Sequence, residues 1–270
     1  MSAKISGKEL GAHKERFVAE EPKDDSGRMY HIGLGKNDVG DIALLPGDPG
    51  RVPKIAEFFD SAKPLNMHRE YSSYGGYIGK RYVVAVSTGI GAPSTAIAIE
   101  ELARLGVRTM IRIGTCGSIT EQADVGSLIV ADSAVRLDGT TSHYIMNEYP
   151  AAATPEVTIA LKESAIKLKR KLTIGTTASS DSFYVGQGRP GFQGYMPEQS
   201  AFLIKTLHDA NVKCFEMEAS ALFTLGRIYG IRTGAIFAVI ANRVTNKFKV
   251  DAGVEDAIKT VINAIKDGCV

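Results

Sequence analysis

Six stretches of this chain are rich in Val and Ile, several of them nearly unbroken: Asp41–Leu45, Arg81–Ser87, Arg108–Gly114, Ser127–Ala134, Leu172–Thr177 and Arg232–Ile240. A strand with one wet face alternates apolar and polar residues, whereas a run that is apolar at successive positions must be covered on both faces. Helical patterns fall between the runs. Pro93–Leu105 opens with a proline and a serine, Pro155–Arg170 places Leu161, Ala165 and Leu168 on one face, and Ala219–Tyr229 is closed by Gly230. Near the C-terminus, Ile258, Val261, Ile262 and Ile265 recur at helical spacing. This alternation predicts an α/β fold, a central sheet with helices on both faces, whose ligands gather at loops beyond the strand ends.

With 270 residues and no low-complexity linker, one domain is expected, since a single core stops growing only beyond roughly 250–300 residues. The first 22 residues mix Lys4, Lys8 and Lys14 with Glu9, Glu15, Glu20 and Glu21, unlike a secretory or transit segment. They are expected to form an extension over residues 1–24, leaving the domain at 25–270. The longest apolar run, Ala235–Ala241, is far short of the roughly 20 residues that span a bilayer. A net charge of +2 gives no general attraction to nucleic acid or an anionic membrane, so any anion affinity must be local. Cys116, Cys214 and Cys269 form no CxxC pair and fit a reducing cytoplasm. The five histidines show no metal-binding spacing.

The 28 glycines are about a tenth of the chain, against roughly 7% ordinarily. Gly47, Gly89, Gly91, Gly114, Gly117 and Gly186 are expected just where strands stop, bringing backbone close to a small ligand. Gly47 and Arg51 lie in Pro46-Gly47-Asp48-Pro49-Gly50-Arg51, which is either an anion cradle or a tight turn with a solvated arginine. Arg112 sits inside an apolar strand and is followed by a predicted small-residue turn, Gly114-Thr115-Cys116-Gly117. A buried guanidinium needs an ion-pair partner or a bound anion, and either would serve.

Glu216 and Glu218, two apart at a predicted strand-to-helix junction, point the same way if the segment is extended. They are suited to sugar hydroxyls, or simply to a helix N-terminus. The segment Thr177–Arg189 reads as a polar loop that could bind a nucleobase, with Phe183 to stack, Gln187 to donate and accept, and Arg189 to donate. Gly186-Gln187-Gly188-Arg189-Pro190-Gly191 matches a dinucleotide fingerprint only in its glycines, because no strand–turn–helix context surrounds it.

Taken in order, HIGLGKND (His31–Asp38), LPGDPGRV, MHREYSSY (Met67–Tyr74), STGIGAPSTAIAIEEL (Ser87–Leu102), IRIGTCGSI, AVRLDG (Ala134–Gly139), TASSDSFYVGQGR, FEMEAS and IANR (Ile240–Arg243) resemble the uridine phosphorylases of the nucleoside phosphorylase-I family. The resemblance runs from about Tyr30 to the C-terminus. It implies a three-layer single domain with a central mixed β-sheet, partly barrel-like, and a pentosyltransferase that cleaves uridine with phosphate to uracil and ribose 1-phosphate in pyrimidine salvage. The alternatives are a purine or dual-specificity phosphorylase, or a nucleoside-binding homologue without turnover.

By the same resemblance, phosphate is held by Gly47, Arg51, Arg112 and Thr115, with Arg69 donated by a neighbouring subunit. Ribose meets Thr115, Met217 and Glu218, and His31 reaches the 5′-hydroxyl across the subunit boundary. The base meets Phe183, Gln187, Arg189, Glu216, Ile240 and Arg243. Arg189, Gln187, Arg112 and Glu218 carry catalysis. Asn242-Arg243 stands where purine phosphorylases usually place an aspartate, which favours a pyrimidine. Glu70, Ile90 and Ser94 match a structural potassium site at a dimer interface. No cofactor is required, and a hexamer built as a trimer of dimers is expected.

Overall fold

The computed structural model describes residues 20–270. Most of the expected N-terminal extension therefore lies outside the described residues. The strands are β1 (Ile42–Leu45), β2 (Lys63–His68), β3 (Tyr71–Ile78), β4 (Arg81–Val86), β5 (Thr109–Ser118), β6 (Leu128–Leu137), β7 (Ala151–Ala152), β8 (Leu172–Ser180), β9 (Cys214–Glu216), β10 (Arg232–Asn242) and β11 (Lys247–Phe248). The α-helices are α1 (Arg51–Ala56), α2 (Ala92–Leu105), α3 (Thr141–Tyr144), α4 (Pro155–Lys167), α5 (Glu198–Ala201), α6 (Leu203–Asp209), α7 (Ala219–Tyr229) and α8 (Val254–Lys266).

The apolar runs are unbroken because alternate residues serve two cores. In β10, Ala235, Phe237 and Val239 join the core beneath α2 and α7, while Ile236 and Ala238 join the one beneath α1, α4 and α8. β1 divides likewise, with Ala43 and Leu45 on one side and Ile42 and Leu44 on the other. Helices on both faces of one mixed sheet make the three layers expected from the sequence. The four apolar residues singled out in α8 are all buried, and α7 ends at Gly230 with φ +66°, a left-handed cap.

The sheet closes on itself in part. β10 pairs with β6, β6 with β8, β8 with β9, β9 with β5, and β5 again with β10. This ring of five strands is the barrel-like portion, and β1, β4, β3 and β2 continue outward from β5 as an open sheet. The β2–β3 hairpin and α5 and α6 were not among the predicted elements.

Two expectations about loops are corrected. Gly114 and Gly117 do not follow a strand end: β5 runs through both, and the predicted turn at Gly114-Thr115-Cys116-Gly117 is extended. The reason is the neighbouring strand, since β10 pairs Phe237 with Gly114 and Ala241 with Gly117 and so carries the ladder onward. Gly114 is needed for room, because a Cβ there would lie 2.9 Å from Phe237 Cδ1 and 3.0 Å from Arg112 Nη2. The predicted loop from Thr177 likewise begins as strand, with Thr177–Ser180 inside β8. Pairing of those four residues with β6 holds them extended despite their polarity.

Candidate active site

A cavity of about 840 Å³ opens where β1, β4 and β10 end and β5 runs past. Arg112 enters it because it pairs with Leu45, the last residue of β1, so its side chain emerges where sheet gives way to the Pro46–Gly50 loop. That loop brings Gly47 and Arg51 to the same wall, and β5 adds Thr115. A Cβ on Gly47 would stand 3.7 Å from Arg112 Nη1 and 3.2 Å from the Gly89 carbonyl. Glycine thus leaves a gap at the arginine's tip.

Arg112 has found ion-pair partners. Its Nε donates to Glu216 Oε2 at 3.2 Å and its Nη2 donates to Glu218 Oε2. Its Nη1 is buried and has no hydrogen-bond partner among the described residues. A buried guanidinium N–H without an acceptor is costly and calls for one. Arg51 is also buried, and desolvation, followed by repulsion from Arg112, holds its guanidinium below the usual arginine range. An anion placed between the two would relieve that repulsion.

The two acids do different work. Glu216 Oε2 accepts the backbone N–H groups of Glu218 and Ala219, each at 2.9 Å, and its Oε1 accepts the Ser179 hydroxyl. Both its oxygens are therefore committed to the protein, which fixes Arg112 and the start of α7. Glu218 Oε1 accepts the Gly91 N–H at 2.6 Å. Gly91 has φ +93°, a conformation open to glycine, and so aims its N–H at the acid. Burial raises the Glu218 carboxyl above its ordinary value, opposed by Arg112.

At the other end of the cavity, Gln187 is buried while Phe183 is half exposed. Arg189 Nη1 donates to Gln187 Oε1 at 2.6 Å and to the Phe183 carbonyl at 2.8 Å, with its guanidinium 4.0 Å from the Phe183 ring centroid. The arginine is thereby held over the face of the aromatic. Arg243 donates to the carbonyls of Gln187 and Gly188, each at 3.1 Å, and so braces this loop. Burial and the nearby Arg243 cation push Arg189 down to about 10.

Glu70, Ile90, Met217 and Ile240 also line the cavity, together with Phe215, which sequence reasoning did not single out although it lies within the FEMEAS motif. Asp48, Cys116, Lys247 and Phe248 were not predicted at the site either. His31, Arg69 and Ser94 do not line it. Ser94 is nevertheless near Glu70: its Oγ and Glu70 Cγ lie 3.2 and 2.7 Å from where a Cβ on Gly89 would stand, and the hydroxyl donates to the Ile90 carbonyl at 3.2 Å. Arg69 and His31 instead share a surface with Tyr30, whose hydroxyl accepts from Arg69 Nη2 at 3.3 Å. Among the described residues, no helix is long and apolar enough to cross a membrane.

A pair of buried arginines, a pair of buried acids and an aromatic–amide–arginine clamp thus face one cavity. The family model described as Phosphorylase superfamily matches residues 41–268. The chain belongs to this superfamily. It is 50% identical over 253 residues to a uridine phosphorylase of Thermococcus kodakarensis, covering 93% of this chain and 91% of that one. A uridine phosphorylase of Escherichia coli is 39% identical, over 88% of this chain and 97% of its own length. A guanosine phosphorylase of Halorubrum lacusprofundi is 35% identical, over 88% and 98%. Membership of the superfamily accounts for the mixed sheet, closed in part, between two helical layers.

Proposed function

We propose that this chain is a uridine phosphorylase, a pentosyltransferase that uses phosphate to cleave uridine reversibly into uracil and ribose 1-phosphate. The observation that carries the reading is the buried, unpartnered Nη1 of Arg112, a residue that lines the same cavity as Glu218, Gln187 and Arg189. Phosphate would lie against Gly47, Arg51, Arg112 and Thr115. Glu218 and the Met217 backbone would take the ribose hydroxyls, with Thr115 between sugar and phosphate.

The chemistry asks for electrostatics rather than a covalent intermediate. As the glycosidic bond lengthens, positive charge grows on the sugar and negative charge on the departing base, so fixed charges aimed at both ends lower the barrier. Phosphate and Glu218 serve the sugar end. Arg189 and Gln187 serve the base, which leaves as a delocalised anion and needs no general acid. Phe183, Phe215, Ile240 and Arg243 shape and brace the base end. We reassign Glu216 from the base to Arg112, whose orientation it sets.

Within one protomer, Arg51 and Arg112 face Glu216 and Glu218, so the phosphate end has little net positive charge. A third arginine from a neighbour would restore it, and Arg69, outside this cavity, is the one assigned. His31 of a neighbour would likewise meet the ribose 5′-hydroxyl. Shared sites require an oligomer, and the reading extends to a hexamer made as a trimer of dimers. The carboxylate, carbonyl and hydroxyl of Glu70, Ile90 and Ser94 are hard oxygen donors that fit a structural potassium ion at such an interface. Its positive charge would steady the carboxylate beside the phosphate end. Free thiols at buried Cys116 and Cys214 suit a cytoplasmic setting and a role in pyrimidine salvage.

A guanosine phosphorylase at 35% identity makes a purine substrate the reading to test against. Asn242 argues for the pyrimidine: its amide donates to the Thr120 and Ala123 carbonyls and its oxygen accepts from the Val244 and Thr245 N–H groups, so this position offers a committed amide and not an acid for a purine ring. Following uridine and inosine by ultraviolet absorbance with and without phosphate tests the proposal. Phosphate-dependent loss of uridine alone is expected. Cleavage of inosine in preference, or binding of uridine without turnover, would overturn it.

A further inference from the structure

Glu101 lies in α2 among the buried Ala98, Ile99 and Leu102, and is itself 6% exposed. No lysine or arginine pairs with it among the described residues. A buried carboxylate is costly unless hydrogen bonds replace its water, and here they come from one short segment. Its Oε1 and Oε2 each lie 3.2 Å from the His31 backbone nitrogen, and Oε2 accepts the Ile32 N–H at 2.9 Å. Oε1 also lies 2.7 Å from His31 Nδ1.

One further contact reaches the imidazole itself and one its backbone. The Tyr30 ring meets it edge-on at 4.9 Å, and His68 Nδ1 stands 3.1 Å from the His31 carbonyl. His31 Nε2 has no hydrogen-bond partner among the described residues. Because both Glu101 oxygens already accept backbone N–H groups, the ring nitrogen facing them is the one that carries hydrogen. In the neutral ring, Nε2 is then left with its lone pair outward.

We infer that Glu101 is a positioning residue that fixes the Nδ1–H tautomer of His31, so that Nε2 accepts a hydrogen bond from the nucleoside 5′-hydroxyl in a neighbouring protomer's site. The inference rests on the proposed placement of His31 in trans. Glu101 touches no substrate; it sets the polarity of the ring that does. A glutamine would give the backbone one acceptor oxygen and turn an NH₂ toward Nδ1. That would move the ring hydrogen to Nε2, reverse the direction of the bond to the 5′-hydroxyl, and set the amide NH₂ beside backbone N–H groups that now lack an acceptor, so the ring loses its fixed position.

The test compares uridine with 5′-deoxyuridine in the full-length protein, reading the ratio of kcat/KM for the two. Glu101→Gln should reduce the wild-type preference for uridine about tenfold, the scale of one hydrogen bond, with the change in KM rather than kcat. Adding Glu101→Gln to His31→Ala should cause no further loss of preference, because the ring is then absent. Glu101→Asp keeps an acceptor but draws it back, and should lose part of the preference, which covers the case in which the glutamine variant does not fold.

A wild-type ratio in any folded Glu101 variant overturns the inference. A wild-type enzyme that cleaves uridine yet ignores the 5′-hydroxyl overturns the placement of His31 and this inference with it. Absence of uridine cleavage, by contrast, overturns the proposed activity itself.

Discussion

Arg112 Nε donates to Glu216 Oε2, the same oxygen that accepts the N–H groups of Glu218 and Ala219 where α7 begins. One carboxylate oxygen thus ties the candidate phosphate arginine to the helix that begins beside the candidate ribose site. The two ends of the cavity are aligned by a residue that contributes no group of its own to a ligand.

Glu216→Gln should therefore act on both stability and phosphate. Removing one partner of a buried ion pair costs about 3–5 kcal/mol, and the loss should appear as a lowered midpoint in thermal unfolding. In protein that remains folded, the KM for phosphate should rise more than the KM for uridine. A variant with the wild-type midpoint and phosphate KM would show that Arg112 is held by something else.

Arg189→Ala should separate turnover from phosphate affinity. Removing a donor aimed at charge that develops in the transition state costs about 10²-fold or more in kcat, whereas the phosphate end is left intact. Steady-state kinetics with phosphate varied at saturating uridine gives both quantities. Full turnover in this variant would remove Arg189 from the leaving-group role.

Titration of Arg189 is expected in an accessible range. Burial, followed by the Arg243 cation, disfavours the charged form and brings the midpoint to about 10, so the side chain is a cation at neutral pH and loses its charge as pH rises through that value. An anionic base bound beside it would stabilise the cation and move the midpoint up. Side-chain nitrogen resonances of labelled protein should show an arginine titrating near that pH and missing from Arg189→Lys. Flat arginine signals to pH 11 would contradict the assignment.

Asn242→Asp should not create a purine enzyme. The substitution sets carboxylate oxygens against the Thr120 and Ala123 carbonyls in place of two N–H donors, and leaving buried groups unpaired costs about 1–3 kcal/mol. The expected outcome is a lower unfolding midpoint with no gain of inosine cleavage, read by calorimetry and absorbance. Efficient inosine cleavage would mean that this position alone selects the base.

The strand-and-helix alternation was legible because both-face burial leaves continuous apolar runs, and the bounds of α7 coincide with the segment read as closed by Gly230. The β2–β3 hairpin was not, because Ser72, Ser73, Gly75 and Gly76 in β3 are packed by neighbouring side chains rather than marked by their own hydrophobicity. At the site, Glu216 and Glu218 both reach Arg112, but not by strand parity, because β9 ends at Glu216 and Glu218 caps α7. That the target is Arg112, 104 and 106 residues away, depends on the antiparallel pairing of β9 with β5, for which a three-residue strand gives no pattern. The turn expected after Arg112 failed for a related reason: small residues resemble a loop until a neighbouring strand is known to pair with them.

The closed ring of strands sets how such a chain can diversify. Every ring member is hydrogen-bonded on both sides, so a shift in one would have to propagate around the circuit, and the anion end inherits that stiffness. The segments at 183–202 and 243–253 lie outside the closed circuit and are tied to each other through Arg243, so they can be rewritten together with less disturbance to the ring. Laboratory evolution toward other leaving groups should accumulate its changes there and leave the barrel strands untouched.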